Sequence, residues 1–413
     1  MVTKYKCPNG VRILTEKLPY VRSVAMGIWV NVGSGNERPE ENGLTHFIEH
    51  MLFKGTHSRT AKEIAESFDR IGGQLNAFTS KENTCYYAIT LDHHAEEAIT
   101  LLTDMFFHST FAEADIEKER QVIFEEMSMV EDTPDDDVDE RLWSAMYPHH
   151  PMGAPILGTE ETLETFTKDK IETYMYEHYT PDQVVVSVAG NITDRLIHKI
   201  IELFDQFNNT NHHSKIIQTI PKFLPGQTTK ESNTEQAHLA IGYEGLTIKD
   251  PDLMSLLVVN NILGDTTSSR LFQQVREEQA LAYSIFSYYT AYEYAGAFMI
   301  YGGTSPEKLT MLEETILQIT EQMVNDGVSS IEIQYAKEQL ESNLLLGLET
   351  SNDFMNRNAK NELLYGRERT VEQTLQELHA VDEENVNRVI QMLLTKPYAK
   401  SVIQPAKGGV ESR

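Results

Sequence analysis

The sequence of 413 residues holds only two cysteines, Cys7 and Cys85. Two cysteines cannot build a disulfide framework, and neither sits in a paired zinc-binding spacing. Basic residues are scarce as well: 35 Lys and Arg stand against 63 Asp and Glu, a formal net charge of −28. That balance argues against a nucleic-acid partner, whose phosphates demand a basic face. It leaves two uses for the charge, solubility and attraction of basic substrates. No apolar run approaches the roughly 18 residues of a spanning helix, so no membrane partner is expected. The opening "MVTKYKCPNGVRILTEKL" lacks the apolar stretch of a signal peptide and the Arg- and Ser-rich helix of a transit peptide. A cytoplasmic enzyme is the expectation. Histidine is absent from Leu239 to Leu378, so a histidine metal site would belong to the first half of the chain.

The length predicts two to three domains. In the first half, strand and helix patterns alternate. "VRILTEKL", "SVAMGIWVNVG", "QLNAFTS", "TCYYAITL" and "QVVVSVAG" read as strands, rich in β-branched residues. "GLTHFIEHMLF" and "TAKEIAESFDRIG" read as helices, the second opening on a capping box of Thr60 and Glu63. Further helices are predicted at 93–108, 114–131, 136–147, 169–179 and 193–207. Residues 207–235 turn to Asn, Thr, Ser, Lys and Pro and read as a linker. The pattern then restarts with "AHLAIGYEG", the apolar helix "PDLMSLLVVNNIL", a strand pair at 280–303 and helices through most of 305–394. The expected fold is α+β. It consists of two homologous units in tandem, 1–206 and 236–413, each a mainly antiparallel sheet packed by helices.

The chemistry concentrates in "LTHFIEHMLFKG". Residues four apart share a helix face, so His46 and His50 can reach one small metal ion together. Glu49 stands beside that face, where a carboxylate can deprotonate water held by the metal. The order reverses the familiar zinc-protease string, in which Glu follows the first His. A catalytic zinc needs a third protein ligand. In "ADIEKERQVIFEEMSMVED", Glu119 and Glu126 fall in phase with the apolar stripe Ile116, Ile123, Met127 and Val130, while Glu125 lies about 100° away. Carboxylates on an apolar face are costly unless paired or metal-bound. Glu126 is therefore the candidate third ligand, and Glu119 can orient a histidine from behind. The alternative is two histidines on an ordinary surface helix.

"THFIEHMLFKGT", the glutamate 76 positions after His50, "ERQVIFEE" and the loop "PMGAPILGTEE" before "YTPDQVVVSVAGNIT" together resemble the inverted zinc metalloprotease family. That family holds pitrilysin, insulin-degrading enzyme and the mitochondrial processing peptidase. The match runs nearly end to end and looks most like the processing-peptidase branch and its bacterial homologues. The resemblance implies a zinc-dependent endopeptidase with one Zn²⁺ per chain. Its ligands would be His46, His50 and Glu126, with Glu119 behind them and Glu49 as base to the zinc-bound water. It implies substrate binding along an edge strand at Asn76 and Ala77, by strand addition. In the second half, "VREEQALAY" places the family's substrate-contacting pair at Arg276 and Tyr283. The Arg would hold a carbonyl and the Tyr hydroxyl would stabilise the oxyanion. Relatives enclose peptides or unstructured segments in a chamber of four such units. A chain of two units implies a homodimer or a paralogous partner, with Arg276 and Tyr283 serving the partner's zinc. A rival reading is a catalytically silent peptide-binding or structural subunit of such an assembly.

Three adjacent pairs, His93-His94, His149-His150 and His212-His213, are poor chelates on a helix and read as surface residues. The acidic run 125–140 reads as a solvated helix junction.

Overall fold

The computed structural model describes residues 2–209 and 220–406. The chain divides into two compact units. The first takes Met1–Met127, Pro155–Gln218 and Gly347–Glu368, and the second takes Ser128–Ala154, Thr219–Leu346 and Arg369–Arg413. Each half of the sequence thus contributes one segment to the other half's unit.

The first sheet is built from β1 (Val2–Lys6), β2 (Arg12–Lys17), β3 (Ser23–Val30), β4 (Gln74–Thr79), β5 (Thr84–Leu91) and β6 (Val184–Gly190), in the order β1-β2-β6-β3-β5-β4. The second contains β7 (Gln227–Ser232), β8 (Ala237–Glu244), β9 (Ala282–Ala291), β10 (Gly296–Thr304) and β11 (Ala399–Pro405), in the order β7-β11-β8-β10-β9. With β1 set aside, the two orders are the same permutation. Both sheets are antiparallel except for one pair each, β2 with β6 and β7 with β11. The fold is therefore α+β, two similar units with mainly antiparallel sheets.

Three strands lie outside the sequence expectation. β7, "QTTKES", falls inside the segment read as linker; it is a polar edge strand whose residues alternate between exposed and half-buried. The described part of 207–235 is thus not all linker, and 210–219, with the His212-His213 pair, lies outside the described residues. For β1 and β11 the sequence predicts no element. β1 is short and largely exposed, so it carries no apolar signal.

Alternation along β3 shows how each sheet is covered. Val24, Met26 and Ile28 enter the core under the helices of the first half of the chain. Ala25 and Trp29 face the other way, onto Met355 and Ala359 of the helix Ser351–Tyr365. Gly27 lies between them; a Cβ there would meet Met355 Sδ at 2.7 Å. The second unit repeats the device. Helix Pro134–Met146 packs on β8 and β11, and a Cβ on Gly242 would meet Met146 Sδ at 2.6 Å. A methionine fills the gap left by a glycine in both sheets.

Candidate metal centre

Helix Leu44–Met51 carries the first half of the site. It starts from Gly43 in the left-handed region, φ 90°, a conformation that favours glycine. The helix N-terminus is capped by a buried carboxylate from the preceding loop. Glu37 Oε2 accepts the Gly43 N–H at 2.9 Å and Oε1 accepts the Thr45 N–H at 2.7 Å. The Asn42 side-chain amide adds a third donor at 3.3 Å. Burial pushes Glu37 up to about 7, against the pull of these donors. Leu44, Phe47, Ile48 and Met51 enter the core, which fixes the helix's rotation and turns His46 and His50 to one side.

Helix Glu113–Glu131 carries the second half. Its Ile116, Glu119 and Ile123 are buried, Glu126 is half-buried and Glu125 is exposed. His46, His50 and Glu126 each offer a ligand atom within 4.8 Å of the others, and no other such trio of His, Cys, Asp and Glu occurs among the described residues. Glu126 Oε2 lies 3.9 Å from His46 Nε2 and 3.7 Å from His50 Nε2. Those separations are too long for hydrogen bonds, and Oε2 is buried with no hydrogen-bond partner. Ligands on a tetrahedral zinc, bonded at about 2.0–2.1 Å, stand roughly 3.3 Å apart. An orphaned carboxylate oxygen facing two imidazole nitrogens just beyond that spacing fits a zinc ion. Burial, with the neighbouring His50 charge, pulls His46 down to about 3, so its ring is neutral and keeps a lone pair for a metal.

Behind this trio stands a chain of charge. Glu119 Oε1 is 2.9 Å from His50 Nδ1, which leaves Nε2 to face Glu126. Lys54 Nζ lies 2.6 Å from Glu119 Oε2. Burial opposes ionisation of Glu119, but the bonds from His50 and Lys54 hold it below the usual carboxylate range. Glu49 accepts a hydrogen bond from Thr79 Oγ1 at 2.5 Å. Burial raises the Glu49 carboxyl, against that bond and the nearby His50.

Asn76 and Ala77 lie on β4, the edge of the first sheet, which pairs with β5 on one side and with no strand on the other among the described residues. The Asn76 side-chain oxygen accepts the Ala77 N–H at 2.8 Å. Arg276 and Tyr283 belong to the second unit, on the helical segment Phe272–Glu278 and on β9. The Arg276 guanidinium sits 4.9 Å from the Tyr283 ring centroid and 4.7 Å from that of Phe272, and Tyr283 is 78% exposed. The His93 and His94 rings lie against each other, 4.2 Å between centroids. His150 Nδ1 accepts the Met152 N–H instead of joining a metal trio.

Sequence reasoning missed Glu37, Lys54 and Thr79. Two had signals. Lys54 follows His50 by four residues, and Thr79 follows Ala77 by two, on the same strand face. Glu37 sits in a Gly- and Pro-rich loop and carries no periodic cue.

Residues 12–160 match the family model described as "Insulinase (Peptidase family M16)", and residues 165–340 match "Peptidase M16 inactive domain". A Bacillus subtilis protein named "Uncharacterized zinc protease YmxG" is 49% identical, over 98% of this chain and 99% of its own. A Mycobacterium leprae protein, also named an uncharacterized zinc protease, is 36% identical over 98% of this chain and 92% of its own. Among solved structures, a protease from Helicobacter pylori superposes with a TM-score of 0.90 at 21% identity, covering 98% of this chain and 99% of that one. A peptidase M16 inactive domain from Pseudomonas fluorescens gives 0.90 at 18%, covering 98% of each. These two likenesses speak to the fold.

Proposed function

The chain belongs to peptidase family M16, the insulinase-type zinc peptidases, and from that membership we propose that it is a zinc-dependent endopeptidase with Glu49 as its base. The observation that carries the reading is the buried, unpartnered Glu126 Oε2 facing the Nε2 atoms of His46 and His50, with Glu49 one residue away on the same helix. His46, His50 and Glu126 would hold one zinc per chain. Zinc bound there supplies a Lewis acid and makes water acidic near neutral pH. Glu49 takes the proton of the attacking water and returns it to the leaving amine. Glu119, backed by Lys54, holds the His50 ring in the tautomer that leaves Nε2 free.

The substrate is an extended peptide. Among the described residues β4 has no strand on its outer side and so offers the peptide a sheet edge, and strand addition there reads backbone with little sequence preference. Peptide binding would displace the Asn76 side chain from the Ala77 N–H. The charge of −28 favours basic peptides over acidic ones. Arg276 and Tyr283 contact the substrate beside the scissile bond, the Tyr hydroxyl donating to the developing oxyanion. Four units make the closed chamber, so the working form is a homodimer or a pair with a paralogue, and Arg276 and Tyr283 serve the partner's zinc. The protein works in the cytoplasm, which cell fractionation tests; among the described residues no helix is long and apolar enough to cross a membrane.

Cleavage of a quenched fluorescent basic peptide tests the reading. Wild type cleaves and a chelator abolishes cleavage. Glu49→Gln loses at least roughly 100-fold in kcat while keeping its zinc. Zinc retained without cleavage of any peptide in a diverse library would overturn the endopeptidase reading in favour of a silent peptide-binding subunit.

A further inference from the structure

We infer that Thr79 is a positioning residue for Glu49: from the end of the edge strand its hydroxyl holds one carboxylate oxygen and leaves the other for the reacting proton. The inference rests on the reading of Glu49 as the base.

Thr79 Oγ1 lies 2.5 Å from Glu49 Oε2. An ionised carboxylate only accepts, so the hydroxyl donates. This is the one hydrogen bond Glu49 makes among the described residues. Oε1 is therefore left uncommitted, and the two oxygens are no longer equivalent. A glutamate on its own rotates about three side-chain bonds and spreads over several positions. A general base must instead reach within hydrogen-bond distance of its proton in a fixed pose. Fixing one oxygen removes most of that freedom.

Thr79 suits the task because its own position is over-determined. Its β-branched side chain restricts χ1. It closes β4 opposite Thr84, whose hydroxyl donates to Val32 O at 3.0 Å. The turn beyond it is locked: the Ser80 N–H donates to Asn83 O at 2.8 Å, and Ser80 Oγ accepts the Asn83 N–H at 3.1 Å. A site held on a strand end with a hydrogen-bonded turn behind it is more exact than one held by a loose loop. Thr79 also shares a strand face with Ala77, two residues earlier. The strand expected to take up the peptide backbone thus also fixes the base, so one element sets the register between substrate and base.

Three chains are compared for cleavage of the same peptide, for zinc content and for denaturation midpoint: Thr79→Val, which keeps the shape and removes the hydroxyl, Thr79→Ser, which keeps the hydroxyl, and Glu49→Gln. Thr79→Val is expected to keep its zinc and its folded state, to lose roughly 10-fold or more in kcat and to hold KM within about twofold. Thr79→Ser is expected to return to within about threefold of wild type, because the donor is restored. Wild-type kcat in Thr79→Val would overturn the inference while leaving the base assignment intact, provided Glu49→Gln is inactive. Thr79→Ser as slow as Thr79→Val would overturn it too, since a restored hydroxyl donor would then restore no activity. A change confined to KM or to the denaturation midpoint would assign Thr79 to substrate binding or to folding instead. A fully active Glu49→Gln would bring down the base assignment and this inference together.

Discussion

Glu37 has two oxygens and each accepts a backbone N–H; a glutamine in its place has only one acceptor. The amide of Glu37→Gln would face a backbone donor with another donor and leave a buried N–H unsatisfied, at a cost of about 1–3 kcal/mol. Urea denaturation checks this: the midpoint should fall with an unchanged slope, and an unmoved midpoint would mean that the loop reorganises around the amide. The site's legibility also divides at this scale. His46, Glu49 and His50 were readable because helical spacing alone brings them together. Glu126 was separable from Glu125 because seven residues keep phase with a buried stripe and six do not. Glu37 was not readable, because a cap from an irregular loop has no period and a carboxylate in such a loop ordinarily faces water.

At the scale of elements, strands buried on both faces announced themselves. β3 and β6 are runs of Val, Ile, Ala and Met, and the capping box at Thr60 and Glu63 formed as the sequence predicts. Edge strands did not. β7 buries little, and its Thr, Lys, Glu and Ser are the residues of linkers as much as of guarded edges. The exchange of helices between halves was illegible for a different reason. Helix Ser351–Tyr365 buries Ser351, Met355, Asn358, Ala359 and Glu362, a stripe too polar to look like a core face. Several of those polar groups find their partners only in place: the Asn358 amide nitrogen donates to Glu16 at 2.8 Å, and Glu362 meets Lys4 at 2.5 Å. An amphipathic stripe says that a helix packs, not on which sheet. The glycines that receive it, Gly27 and its counterpart Gly242, read in the sequence as weaknesses in strands, whereas each makes room for a methionine.

For the whole molecule, the proposal divides labour between units. The first unit holds His46, Glu49, His50 and Glu126, and the second holds Arg276 and Tyr283. Every histidine of the metal trio lies in one unit, and the other has an equivalent sheet with no trio among the described residues. If the second unit serves a partner's zinc, a Glu49→Gln chain mixed with a Tyr283→Phe chain should regain up to about a quarter of wild-type activity. Mixtures no better than the separate mutants would place Tyr283 in service of its own chain's zinc, or of none. The most direct test of the central claim is a zinc titration of the metal-stripped protein, with His50→Ala, Glu126→Gln and Glu49→Gln alongside. The account predicts about one zinc per chain in wild type and Glu49→Gln, and affinity lowered by at least roughly 100-fold in His50→Ala and Glu126→Gln, since each removes a ligand. Wild-type affinity in Glu126→Gln, or no zinc bound by the wild type, would contradict it.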